Sequence, residues 1–180
     1  VGGGIGVSYN SEQSFTIIEF AEKTIPLFKK LDCEIIFEPG RFLTANGGIL
    51  VTEVLYNKKN GDKNFVIVDS AMNDMLRPSI YQAYHHIQPT TKFGNRNDIV
   101  ADVVGPICES GDYFARDREI TQSNSGDLLA LTSAGAYGMV MSFNYNGRRR
   151  PPEILVDGNK YDEVRSRETF DHLIYDEKIV

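Results

Sequence analysis

At 180 residues, 41% hydrophobic and 24% charged, the chain has the composition of an ordinary soluble globular protein holding one domain or two small ones. A net charge of −6 and a pI near 5.1 argue against nucleic acid or an anionic membrane surface as partner, since either needs a basic face to neutralise phosphates. No stretch approaches the ~20 apolar residues that span a bilayer. Two cysteines, Cys33 and Cys108, are too few for a disulfide framework and point to a reducing, cytoplasmic setting.

The chain opens Val1-Gly2-Gly3-Gly4-Ile5-Gly6, which is neither an initiator methionine nor a signal peptide. It reads as the end of a strand entering a loop, and predicts a segment before it. From Ser14 to Leu31 the residues Ile17, Phe20, Ala21, Thr24, Phe28 and Leu31 recur at helical spacing, with Ser14 as the N-cap. Pro26 inside that stretch predicts a kink or break. Cys33 to Phe37 reads as a short apolar strand, so the order strand, loop, helix, strand belongs to parallel α/β architecture. Past Asn46 the character changes to strand-like runs: Ile49 to Tyr56, Phe65 to Asp69, Ile99 to Pro106, Leu128 to Thr132 and Glu153 to Val156. Asn60-Gly61 and Asp157-Gly158 are turn signals, the first within a polar stretch longer than a two-residue hairpin loop. The boundary is therefore placed at residues 1–46 and 47–180, and no repeat or low-complexity segment interrupts either part. The basic run Arg148 to Arg150 reads as a solvated turn.

Five clusters carry candidate chemistry. The glycines of Gly2-Gly3-Gly4-Ile5-Gly6 let backbone N–H groups approach an anion, although their spacing does not fit a dinucleotide fingerprint; a phosphate cradle and a tight turn both remain open. Glu38-Pro39-Gly40-Arg41 falls at the C-terminal end of the Cys33 to Phe37 strand, where parallel α/β folds place ligands; a surface turn with a salt bridge is the alternative. In Met72-Asn73-Asp74-Met75-Leu76-Arg77-Pro78-Ser79-Ile80-Tyr81, Pro78 suits the first turn of a helix. That helix would put Arg77 and Tyr81 on one face, against the alternative of an exposed arginine and a half-buried tyrosine. Cys108-Glu109-Ser110-Gly111-Asp112 sets a thiol beside carboxylates after a strand, suited to proton donation, or else a small buried hydrophobe. Gly135-Ala136-Tyr137-Gly138 would admit a ligand beside the Tyr137 hydroxyl. His85, His86 and His172 lack metal-ligand spacing, and no metal is expected.

In this order, GGGxG, EPGR, CE(S)xD and GAYG, the chain resembles the fold-type III pyridoxal-phosphate decarboxylases. MNDMLRPSIY and the Glu after Cys108 resemble the diaminopimelate decarboxylase branch rather than the ornithine branch. The resemblance covers essentially the whole chain. It implies the last part of a (β/α)8 TIM-type barrel followed by a mainly antiparallel β domain, as in the alanine racemase-like fold. It implies pyridoxal 5'-phosphate as cofactor, its phosphate held by Gly2, Gly3, Gly4 and the Pro39-Gly40-Arg41 backbone, with Glu38 on the pyridine nitrogen. Arg41, Arg77 and Tyr81 would bind the distal end of the substrate meso-diaminopimelate, Glu109 the distal ammonium, and Tyr137 would lie between phosphate and substrate. Cys108 would be the catalytic proton donor, acting across a homodimer with shared active sites. The cofactor lysine of such proteins lies in the early barrel and has no match here, so the 180 residues alone are expected to be inactive. Two other readings stay open: a related decarboxylase of arginine, ornithine or carboxynorspermidine, and a non-catalytic regulatory paralogue.

Overall fold

The computed structural model describes residues 1–12, 14–178 and 180. Helix α1 (Ile17–Phe28) starts from Thr16, whose hydroxyl accepts the Glu19 N–H while the Glu19 carboxylate accepts the Thr16 N–H. This reciprocal cap needs an acid three residues on, which Thr16 has and Ser14 lacks, so the helix begins later than its apolar spacing alone predicted. Nor does Pro26 break it. The helix runs on through Pro26 to Leu27 and Phe28, and the Lys29 N–H still reaches the Ile25 carbonyl at 2.9 Å.

Cys33 to Phe37 forms no ladder, contrary to the strand expected there. A strand needs a neighbour to take its backbone groups in a ladder; the glycine segment beside it gives one backbone bond, from the Glu38 N–H to the Gly2 carbonyl at 3.5 Å, and no ladder follows. Phe37 instead meets the rings of Phe20 and Phe28 on α1 edge-on, with centroids 5.7 and 5.4 Å apart.

After the short helix α2 (Gly40–Thr44) and a 3₁₀ turn, Ala45–Gly47, the chain enters β1 (Leu50–Asn60) and β2 (Lys63–Val68). Helix α3 (Arg77–Tyr81) precedes β3 (Ile87–Pro89), β4 (Asp98–Val104), β5 (Tyr113–Thr121) and β6 (Leu128–Leu131). These strands make one six-stranded sheet in the order β3-β6-β1-β2-β4-β5. Neighbours are antiparallel except β2 and β4, which are parallel, so the sheet is mixed. Asn60 pairs with Lys63, leaving only Gly61 and Asp62 to turn, with Gly61 at φ +58°. The polar residues Asn57 to Asn60 that made this loop look longer are paired strand.

Val66, Ile67 and Val68 of β2 are buried in succession, as expected for an interior strand covered on both faces. Val54, Val103, Phe114, Leu129 and Leu131 join them with Met75 in the core. A separate hairpin, β7 (Glu153–Asp157) and β8 (Lys160–Arg165), follows, then helix α4 (Phe170–Leu173).

One backbone contact sets where the site forms. A Cβ on Gly135 would lie 2.0 Å from the Thr44 carbonyl oxygen and 2.9 Å from the Gly48 N, so the segment after β6 abuts the end of α2 without a side chain between them. The Ser133 hydroxyl donates to the Asn46 amide oxygen at 2.7 Å across the same seam.

Candidate active site

Gly3 and Gly4 meet Glu38-Pro39-Gly40-Arg41 around a pocket of about 500 Å³, and Tyr137 closes its side. That volume lies within the usual range for small-molecule sites. Gly3 has no room for a side chain, since a Cβ would sit 2.5 Å from the Glu38 carbonyl oxygen. Gly4 takes φ +88°, a left-handed conformation that costs glycine little. Around Gly2, Gly4 and Gly40, by contrast, a Cβ would meet nothing within 4 Å. The backbone here is open to a ligand. Tyr137 stands at φ 62°, left-handed for a non-glycine residue, and such strain collects where a side chain must be aimed. The structure thus brings together every expected cofactor residue except Gly2, which does not line the pocket.

Arg77 is buried, 8% exposed, and Tyr81 is 64% exposed. This reverses the exposed-arginine alternative: the two residues are four apart on α3, as expected, but the start of the helix is buried and its end is exposed. The Arg77 guanidinium lies 5.8 Å from the Tyr137 ring centroid, linking it to the pocket wall. Its Nη1 donates to the Tyr9 hydroxyl at 3.0 Å and contacts His85 Nε2 at 3.3 Å. No carboxylate pairs with it among the described residues. The loop before it is fixed by Asn73, whose amide donates to the Phe143 and Tyr145 carbonyls, and by Asp74, which accepts the Ala71 N–H. Burial pushes the Asp74 carboxyl above its ordinary range. Tyr9 and His85 were not singled out from the sequence. The alternation of buried His85 and Ile87 with exposed His86 and Gln88 is the signal that marks His85 as facing inward.

Cys108 and Glu109 sit on an exposed loop after β4 and do not line the pocket. Asp112 builds that loop: one carboxylate oxygen accepts the Met72 N–H at 2.7 Å, the other the Ile107 N–H at 2.8 Å. Burial pushes its carboxyl up, against the two backbone donors that hold it down. Glu109 accepts from the Tyr145 hydroxyl at 3.3 Å, and its charge pushes that phenol's pKa up.

These features suit pyridoxal phosphate: an open glycine backbone for a phosphate, and the carboxylate of Glu38 on the same pocket for a ring nitrogen. Comparison with known proteins agrees. The description "Pyridoxal-dependent decarboxylase, C-terminal sheet domain" matches residues 15–135. A diaminopimelate decarboxylase of Aquifex aeolicus is 47% identical over 176 residues, covering 97% of this chain and 41% of its own length. That of Neisseria meningitidis serogroup A is 45% identical over 177 residues, covering 98% of this chain and 43% of its own. The crystal structure of the Helicobacter pylori diaminopimelate decarboxylase, complexed with L-lysine, superposes with a TM-score of 0.89 at 42% identity, covering 97% of this chain and 43% of that one. The chain thus spans about two fifths of the length of the curated relatives it matches. With the sheet, the glycine pocket and the matched residues in agreement, the chain belongs to the pyridoxal-dependent decarboxylase family.

Proposed function

We propose that the protein containing this chain is a diaminopimelate decarboxylase, which removes CO2 from meso-2,6-diaminopimelate to leave L-lysine. One observation carries this reading: Arg77 is a buried guanidinium beside the pocket wall, with no carboxylate partner among the described residues. A buried charge is stable when paired, and the substrate's distal carboxylate supplies that pair. Ornithine carries no such group, which disfavours the ornithine alternative.

The other roles follow from placement. The backbone of Gly2 to Gly4 and of Pro39 to Arg41 would hold the cofactor phosphate, and Glu38 would keep its ring nitrogen protonated. When bound, pyridoxal phosphate supplies the electron sink for the pair left by departing CO2. Arg41 and Tyr81 would join Arg77 at the distal end, Tyr137 would separate phosphate from substrate, and Glu109 would take the distal ammonium. Cys108 would give its proton to the carbon that lost CO2. Residues 1–46 are assigned to the barrel and 47–180 to the sheet domain. The ladder-free Cys33 to Phe37 segment and the absence of buried residues on α1 support that division. Two free cysteines fit a cytoplasmic setting.

Because Cys108 and Glu109 do not line the pocket, we assign them to the site of a second subunit in a homodimer. Mixing a full-length variant lacking the cofactor lysine with one carrying Cys108→Ala should restore roughly a quarter of wild-type activity through mixed dimers. No recovery despite subunit exchange would mean that each subunit uses its own cysteine. The substrate claim is tested by CO2 release from the holoenzyme, which should be rapid with meso-diaminopimelate and slow with ornithine. Arg77→Ala should cost about 2–5 kcal/mol in kcat/KM on the former; an unchanged rate removes Arg77 from the site.

A further inference from the structure

His85 is completely buried, yet it has no place in the chemistry above. We propose that His85 is the positioning residue that aims the Arg77 guanidinium, acting as a neutral imidazole protonated at Nδ1.

Two contacts require that tautomer independently. The Thr132 carbonyl oxygen lies 2.9 Å from Nδ1 and can only accept, so Nδ1 carries the hydrogen. Arginine has no acceptor, so the Nε2 that lies 3.3 Å from Arg77 Nη1 must present its lone pair. Nη1 has two hydrogens. One goes to His85 Nε2 and the other to the Tyr9 hydroxyl at 3.0 Å. The guanidinium edge left for a ligand is then Nε with Nη2, neither of which has a protein acceptor among the described residues. That edge matches a carboxylate at two points. Rotation that exchanged the edges would break both Nη1 contacts.

The imidazole is itself fixed. Thr132 accepts from the ring, and its own N–H donates to the carbonyl of the next residue, His86, at 2.9 Å, which ties the backbone around His85 to that of Thr132. Arg118, stacked 3.8 Å from the Tyr84 ring centroid, donates to the His85 carbonyl at 3.0 Å. The charged groups facing the ring are Arg77 and Arg118, with the Tyr9 ring edge-on at 5.3 Å. Burial, together with these two cations, lowers the pKa of His85. An imidazolium would lose the Nε2 acceptor and set a second cation against the guanidinium.

This inference rests on Arg77 binding the distal carboxylate, and two experiments on the holoenzyme test it. In long-range ¹H–¹⁵N spectra of histidine-labelled protein near neutral pH, the His85 signals, assigned by their loss in His85→Gln, should show the neutral ring with hydrogen on Nδ1. Hydrogen on Nε2, or an imidazolium, overturns the proposal. Inhibition by L-lysine, which keeps the distal carboxylate, is then compared with inhibition by cadaverine, which lacks it. His85→Leu should weaken lysine about tenfold, the worth of one hydrogen bond to a charged group, and leave cadaverine unchanged. His85→Gln, whose amide oxygen reaches the Nε2 position, should recover most of the loss, and Tyr9→Phe should show a smaller loss of the same kind. Equal weakening of both ligands, or of neither, overturns the proposal. If Arg77→Ala leaves lysine inhibition unchanged, the assignment of Arg77 itself fails.

Discussion

The glycine pocket and the Arg77 cluster adjoin through Tyr137, but they are built by different means. The pocket is loop backbone, with Gly3 pressed against Glu38 and the backbone of Gly4 and Gly40 left open. The cluster is two side chains beside the sheet: Arg77 at the start of α3 and His85 just before β3 are held to each other and to the Thr132 backbone carbonyl by hydrogen bonds next to β6 and the core. A loop-built pocket depends on what it binds for its final shape, whereas a cluster held against the sheet arrives preorganised. Changes in the sheet should therefore register as lost stability, and changes in the loops as lost affinity.

The largest effect is expected from Phe114→Ala. Phe114 is 1% exposed between core strands, and its removal should cost about 3–5 kcal/mol of unfolding free energy in denaturant melts. Cofactor affinity per folded molecule should be preserved, and a loss of affinity without loss of stability would erase the distinction. Gly3→Ala should do the reverse. Its Cβ would meet the Glu38 carbonyl at 2.5 Å, pushing the glycine loop off Glu38-Pro39. Overpacking of this sort costs about 1–3 kcal/mol, read here as a pyridoxal phosphate dissociation constant raised about tenfold in spectroscopic titration, with the melting curve little changed.

How much of this was legible in the sequence follows the same division. β2 and β4 are mostly apolar and were anticipated to within two residues at each end, whereas β1 was ended at Tyr56, four residues short, because its tail from Asn57 to Asn60 is polar. β5 was missed because Tyr113–Thr121 mixes Phe114, Ala115 and Ile120 with Arg116, Asp117, Arg118 and Glu119, a composition that reads as surface. Cys33 to Phe37 has the residues of a strand, but a ladder is a property of two segments and none of the described ones pairs with it. The glycine pocket was readable from local motifs, since each of its walls is a short contiguous stretch. Tyr9 and His85 were not, because their meeting at Arg77 joins residues 68 and 8 positions away in the chain, and no local pattern specifies both.

The smallest effect concerns pH. The folded-state pKa of His85 lies below its ordinary value near 6.5, so its contribution to stability is present above 6.5 and is lost as pH falls through the folded value. Asp74 and Asp112 act oppositely, since their raised values give a contribution that is present below about 3.8 and lost as pH rises through them. Stability measured from pH 7 downward should decline less steeply in His85→Gln than in the wild type. Parallel curves would place the ring's titration outside the folding equilibrium.

The most direct test of the Arg77 cluster as a preformed carboxylate site is a crystal structure of the holoenzyme with L-lysine. The lysine carboxylate should sit on the Nε and Nη2 edge of Arg77, with both Nη1 contacts to Tyr9 and His85 intact. A lysine carboxylate bound elsewhere, with that edge facing water, would contradict the account.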